Sequence, residues 1–199
     1  MSGEPKRKPG RPRTVDRDAI ALKAMQTYWA HGLFELSLNE VCRRCDVSKP
    51  AVYRVFGGED ELMAAALAVY RERRVLPLLA ALDDERPLAD ALDDAVAFLT
   101  SDDGTPAGCL FTKMRIAGAR VGDTTRTAVQ ALKREHLDAY DAFFRRGLER
   151  NDANPELDPA FAAKFIDVQF ASVLVQMAVG GDPNFVREQA RLALRGVLR

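Results

Sequence analysis

Two groups of residues in this 199-residue chain have types and spacings that bear chemistry. The first is sulfur and imidazole: Cys42 and Cys45 stand three apart, with Cys109, His31 and His136 elsewhere. A zinc site needs four ligands around one ion, and the three further candidates are all remote in sequence. Cys42 falls on an apolar face beside Leu38 and Val41, so a pair of small buried hydrophobes is the stronger reading. An oxidation switch is the alternative, and neither metal nor cofactor is expected. The second group is cationic. Lys6, Arg7, Lys8, Arg11 and Arg13 face only Glu4 in residues 2–13, and Lys49, Tyr53 and Arg54 follow Ser48 in a short amphipathic stretch. Cations and hydroxyls suit phosphate oxygens, and the planar fork of an arginine suits O6 and N7 of guanine.

The bulk composition agrees with a polyanion at one end. Residues 1–60 hold 11 Lys+Arg against 8 Asp+Glu, and residues 61–199 hold 18 against 21, so a net charge of zero hides a basic head on an acidic body. With 47% hydrophobic residues there is enough apolar material for a packed core. Three cysteines make no disulfide framework. The longest uncharged apolar run, Leu62–Tyr70, is too short to cross a bilayer, and no apolar segment follows the N-terminal charges. The expectation is a soluble cytoplasmic protein without a membrane partner. No nucleophile elbow, phosphate loop or HExxH zinc motif is present, and Asp83-Asp84-Glu85, Asp93-Asp94 and Asp102-Asp103 read as solvated faces. The expectation is therefore a binding protein, with a helical enzyme as the competing class.

The elements that must hold these residues are all helical. Pro5, Pro9, Gly10 and Pro12 make 1–14 a flexible basic arm. Asp16 caps a helix carrying Ile20, Ala24 and Tyr28, which Gly32 ends. Ser37, with Glu40 three residues on, caps a helix from Leu38 to about Cys45. After the turn Asp46-Val47-Ser48, Ser48 caps a second short helix, Lys49 to about Val55, with Pro50 in its first turn. Glu59, Asp60 and Glu61 open a longer helix that Pro77 must kink or split. Pro87, Thr105-Pro106, Asp123, Asp158-Pro159 and Asp182-Pro183 open the rest. No segment alternates with period two, so the fold class is all-α with about nine helices.

Residues 38–55 have the spacing of a helix-turn-helix, whose second helix enters a major groove. The run Gly32, Phe34, Ser37, Val41, Asp46-Val47-Ser48, Val52-Tyr53, Phe56 and Leu62 resembles the DNA-binding region of the TetR/AcrR family of bacterial repressors. The preceding Gly10-Arg11-Pro12-Arg13 and the later Gly108-Cys109-Leu110 are similar to a subgroup of it. The resemblance covers about residues 10–70. It implies a head (15–60) on a ligand-binding and dimerisation body (61–199), and a sequence-specific repressor released from a pseudo-palindromic double-stranded operator by a small hydrophobic effector. Control by a protein partner or by cysteine oxidation is the alternative. Carried over by position, Ser37, Ser48, Lys49, Pro50, Ala51, Tyr53 and Arg54 meet DNA, with Arg54 as the candidate for a base contact and Arg11 and Arg13 in the minor groove. Val47, Val52 and Phe56 are core. Three positions depart from the family pattern: Asp46 replaces the turn glycine, Leu36 a threonine, and Glu59 a phosphate-contacting lysine.

In the body, Phe98, Cys109, Phe111, Met114, Arg115, His136, Tyr140 and Phe143 are the expected effector contacts, with Arg115 and His136 orienting the ligand. The helix 159–180 is apolar on two sides, so one side must meet a partner. The expected homodimer interface is Phe161, Phe165, Val168, Phe170, Val173 and Met177, completed by Val186, Ala190 and Leu194 of the last helix.

Overall fold

The computed structural model describes residues 16–82 and 85–199. The basic arm, with Arg11 and Arg13, lies outside the described residues. Among those described the chain is helical throughout, with one isolated antiparallel bridge, Ala153 to Leu198.

The head is α1 (Arg17–His31), α2 (Leu38–Arg44) and α3 (Lys49–Phe56). Local side chains start each helix, as the sequence leads one to expect. The Asp16 carboxylate accepts from Asp18 N and Ala19 N at 3.0 and 3.2 Å. Ser37 Oγ accepts from Glu40 N, and Ser48 Oγ from Ala51 N, both at 3.3 Å. The reciprocal half of the Ser37 box does not form, because the Glu40 carboxylate is taken by Arg43 and Arg44.

Next come α4 (Glu59–Tyr70), a π turn (Arg71–Val75) and α5 (Leu76–Leu82) in one unbroken helical run. Pro77 has no N–H to give the preceding turn, and the ladder widens just before it. The body continues with α6 (Leu88–Leu99), α7 (Leu110–Ala117), α8 (Asp123–Arg150), α9 (Pro159–Ala178) and α10 (Pro183–Leu194). With α4 and α5 joined, nine helical rods are described. The expected start of α7 at Thr105-Pro106 is corrected to Leu110. Residues 100–109 form bends, and Cys109 Sγ stands at the cap, accepting from Thr112 N at 3.4 Å.

Two helices begin on carboxylates from far along the chain. Leu88 N donates to Asp152 Oδ2 at 3.0 Å, and Thr124 N and Thr125 N donate to the Asp60 carboxylate at 2.8 and 3.1 Å. The Thr125 hydroxyl adds a bond to Asp60 O at 2.9 Å. Asp60 thereby ties the N-terminus of α4 to that of α8. No gap in packing marks the expected boundary at 60: one apolar core runs from Tyr28, Trp29 and Val41 through Leu62 and Leu67 to Leu110, Phe111 and Leu132. A second core fills the far end of the body, between α5, α6, α8, α9 and α10.

α9 is long and apolar enough to cross a membrane by length and composition. Its inward stripe, Ile166, Phe170 and Val173, is buried in the second core. That burial covers one side of the helix and leaves Phe161, Val168 and Val175 exposed on the other.

Candidate functional site

The turn that presents α3 is built on Asp46. Its φ of 54° is left-handed, a conformation that Asp tolerates better than most residues. Val47 N donates to Cys42 O at 3.0 Å and Asp46 N to Arg43 O at 3.3 Å. These are the two bonds of a Schellman closure, so the aspartate does the work of the usual glycine. Val52 is fully buried, while Val47 and Phe56 pack partly buried on the first core. They fix the roll of α3, and Lys49, Pro50, Tyr53 and Arg54 are left exposed. Among the described residues, neither Lys49 nor Arg54 has a carboxylate partner. Ser37 and Ser48 are exposed at helix starts. Ala51 is a correction: it is only 6% exposed, turned into the angle between α3 and α1, where a groove runs past Ile20, Cys45 and Arg54.

Arg43 and Arg44 are occupied. Hydrogen bonds from Arg43, then Arg44, hold the Glu40 carboxyl down to about 2, and Arg44 Nη1 also lies 2.8 Å from His31 Nε2. Glu59 is half-buried in the first turn of α4, near the fully buried Tyr28. Burial first, and the Glu59 charge second, push the Tyr28 phenol up.

Cys42 and Cys45 are both buried and free. Burial pushes the Cys45 thiol up to about 11 and raises Cys42 as well. These are protonated thiols packed as small hydrophobes. No cluster of three or more metal-ligating side chains occurs among the described residues.

In the body, a cavity of about 50 Å³ lies between the π turn, α6, α7, α8 and α9. Phe98, Cys109, Phe111, Arg115, His136 and Tyr140 line it, as expected. Met114 and Phe143 do not. Met114 is buried in the first core and Phe143 in the second, packed against other apolar side chains rather than facing the cavity. Tyr70, Arg74, Asp167 and Phe170 line the cavity too, and sequence reasoning missed them. Asp167 left a signal, being a lone acid on the inward side of an apolar helix. Its two oxygens take Arg115 Nη1 and Nη2 at 3.1 and 3.0 Å, so Arg115 is paired rather than free to orient a ligand. The cavity wall meets the head through Trp29, whose Nε1 donates to Gly108 O at 3.1 Å, while Tyr70 donates to Cys109 Sγ at 3.2 Å within the wall itself.

The outer side of α9 settles which stripe faces outward. Phe161 and Val168 are more than half exposed, Val175 is exposed, and Val179 is 80% exposed, alongside Phe185 and Leu192 of α10. Phe165 and Met177 are half-buried. Phe170, Val173, Val186, Ala190 and Leu194, expected at a partner, are instead buried within the chain. They form the stripes with which α9 and α10 close their own core.

Residues 20–66 match the family described as bacterial regulatory proteins, tetR family. The HTH-type transcriptional repressor ComR of Escherichia coli (strain K12) is 27% identical over 198 residues, covering 96% of this chain and 92% of that protein. The repressor BdcR of the same organism is 28% identical over 149 residues, covering 72% and 74%. A cysteine-substituted CifR, a TetR family transcriptional regulator solved with 26-bp double-strand operator DNA, superposes with a TM-score of 0.78 at 26% identity. That match covers 93% of this chain and 98% of the other. Reduced E. coli NemR, at 16% identity and a TM-score of 0.76, covers 92% and 97% and speaks for the fold.

Proposed function

This chain is a DNA-binding transcriptional regulator of the tetR family, and from that premise we propose that it acts as a homodimeric repressor released from its operator by a small effector held in the body cavity. One observation carries the DNA half: Lys49, Tyr53 and Arg54 stand exposed, with no carboxylate partner for the two cations among the described residues, on a helix whose roll is set by buried Val52. Ser37 and Ser48 stand at helix starts, where N–H groups suit phosphate. Arg11 and Arg13 of the arm add minor-groove contacts in this reading.

The outward apolar stripe of α9 and α10 supports the dimer. Two copies of α3 must stand about 34–36 Å apart to enter successive major grooves of a pseudo-palindrome. An effector that favours another spacing lowers affinity, typically by about 1–3 kcal/mol per site. The joints at Trp29–Gly108 and Asp60–Thr125 lie between cavity and head, which supports α1 and α4 as levers. The buried, protonated Cys42 and Cys45 speak against oxidation as the trigger.

The test is binding to the DNA upstream of the protein's own gene, read by anisotropy over a salt series. A steep loss of affinity with salt and a stoichiometry of paired subunits are expected. A single subunit indifferent to that DNA overturns the proposal.

A further inference from the structure

The body cavity has a selectivity of its own, and its chemistry rests on the reading of that cavity as an effector site. About 50 Å³ is available. A water-sized group needs about 10–15 Å³ of such space, so without repacking the cavity takes a molecule of about three to five non-hydrogen atoms.

The charges in its wall cancel. Arg115 and Asp167 satisfy each other through two parallel bonds, and Arg74 is paired with Asp103 and stacked on Phe98. An entering ion would lose its water and find no uncompensated opposite charge.

Three polar atoms of the lining have no hydrogen-bond partner among the described residues: the Thr112 hydroxyl, which can give or take a hydrogen, and one atom each on His136 and Tyr140. His136 Nδ1 lies 2.7 Å from Leu132 O, and a carbonyl can only accept, so Nδ1 carries the hydrogen. Burial, above all, lowers the pKa of this imidazole and keeps it neutral, which leaves Nε2 a bare acceptor. Tyr140, one turn further along α8, is 1% exposed, and its hydroxyl has no hydrogen-bond partner among the described residues. Burial keeps it protonated and therefore a donor. Both residues line the cavity, with ring centroids 5.9 Å apart. A hydroxyl group answers both needs, giving its hydrogen to Nε2 and its lone pair to Tyr140. A carboxylate has no hydrogen to give, an ammonium no lone pair, and a hydrocarbon leaves both groups unpaired.

We propose that the cavity between α7, α8 and α9 binds a small neutral alcohol of two to four carbons, its hydroxyl bridging His136 and Tyr140.

The full-length protein is titrated with 1-propanol, propionate and propylammonium at up to about 10 mM, a range set by the affinity that so few atoms can give. Binding is read from the emission of Trp29, the single tryptophan, which is bonded to the cavity wall. Operator release is followed separately by anisotropy. Saturable binding of 1-propanol, at least about tenfold tighter than of either ion, is expected, and Tyr140→Phe should weaken it about fivefold. This comparison of probes on the unaltered protein stands even if the variant fails to fold. Propionate or propylammonium binding as tightly, no saturable propanol signal, or propanol binding unchanged in folded Tyr140→Phe each overturns the assignment. The two readings separate cleanly. Propanol that binds without releasing operator DNA supports the alcohol site and refutes the effector reading. An ion that binds and releases DNA does the reverse.

Discussion

Lys49 and Arg54 differ in what each can read. An arginine fork matches a guanine edge, whereas the ammonium of Lys49 at the helix start is a point charge for phosphate. Arg54→Ala should cost about 1–3 kcal/mol at the operator and relax its sequence preference. Lys49→Ala should weaken binding to all sequences alike and lower the salt slope by about one. Anisotropy with operator and scrambled duplexes distinguishes the two, and equal behaviour would refute the assignment. The thiols give a second check. With Cys45 at about 11, its thiolate is scarce at neutral pH, so a disulfide reagent should modify the folded protein far more slowly than the denatured one. Operator affinity should survive mild oxidation. His136 sets a pH dependence. Its folded pKa lies below the ordinary 6.5, so the unfolded chain takes up the proton first. Its contribution is therefore complete above about pH 6.5 and fades as pH falls through the lower folded value. Denaturant titrations at stepped pH should show that decline in the native protein and not in His136→Gln.

At the scale of elements, the contact between α4 and α8 is the joint to break. Burial alone would raise the Asp60 carboxyl, but the bonds from Thr125 and Thr124 outweigh it and hold the group below its usual value. The fit requires a glycine before α8, since a methyl on Gly122 would overlap the Asp60 carboxylate. Gly122→Ala should therefore cost about 1–3 kcal/mol and lower Tm, although φ at Gly122 is −72°, which any residue accepts. Loss of amide-exchange protection at Thr124 and Thr125 in a folded variant would locate the damage at this joint. Unchanged protection would mean that the loop yields instead. The Asp60 contribution is present above the ordinary carboxylate pKa near 4 and is lost below it.

For the whole molecule, the outward face of α9 is the surface on which the proposed pairing rests. A charge at Val168, which is 58% exposed, leaves the chain's own core untouched. Val168→Arg should give a folded single subunit by light scattering, with unchanged helical content and operator affinity reduced by orders of magnitude, because two linked heads become one. Retained pairing would move the interface elsewhere. The same face explains why α9 is apolar on two sides: one closes the second core and the other is offered outward.

Local chemistry made much of this molecule legible in its sequence. The caps at Asp16, Ser37, Ser48, Asp158 and Asp182 each bind an N–H within three residues, and short-range bonds survive any arrangement of the rest. The helix-turn-helix was readable for the same reason, whereas the outward side of its second helix was read from the family resemblance, which misplaced Ala51. Tertiary structure alone decided which stripe of α9 faces inward, that Met114 and Phe143 are core while Tyr70 and Asp167 line the cavity, and that Asp152 and Asp60 start α6 and α8 from 64 or more residues away. Helical periodicity says that a side is apolar. It carries no information on which neighbour will cover that side, because the choice depends on how distant helices pack.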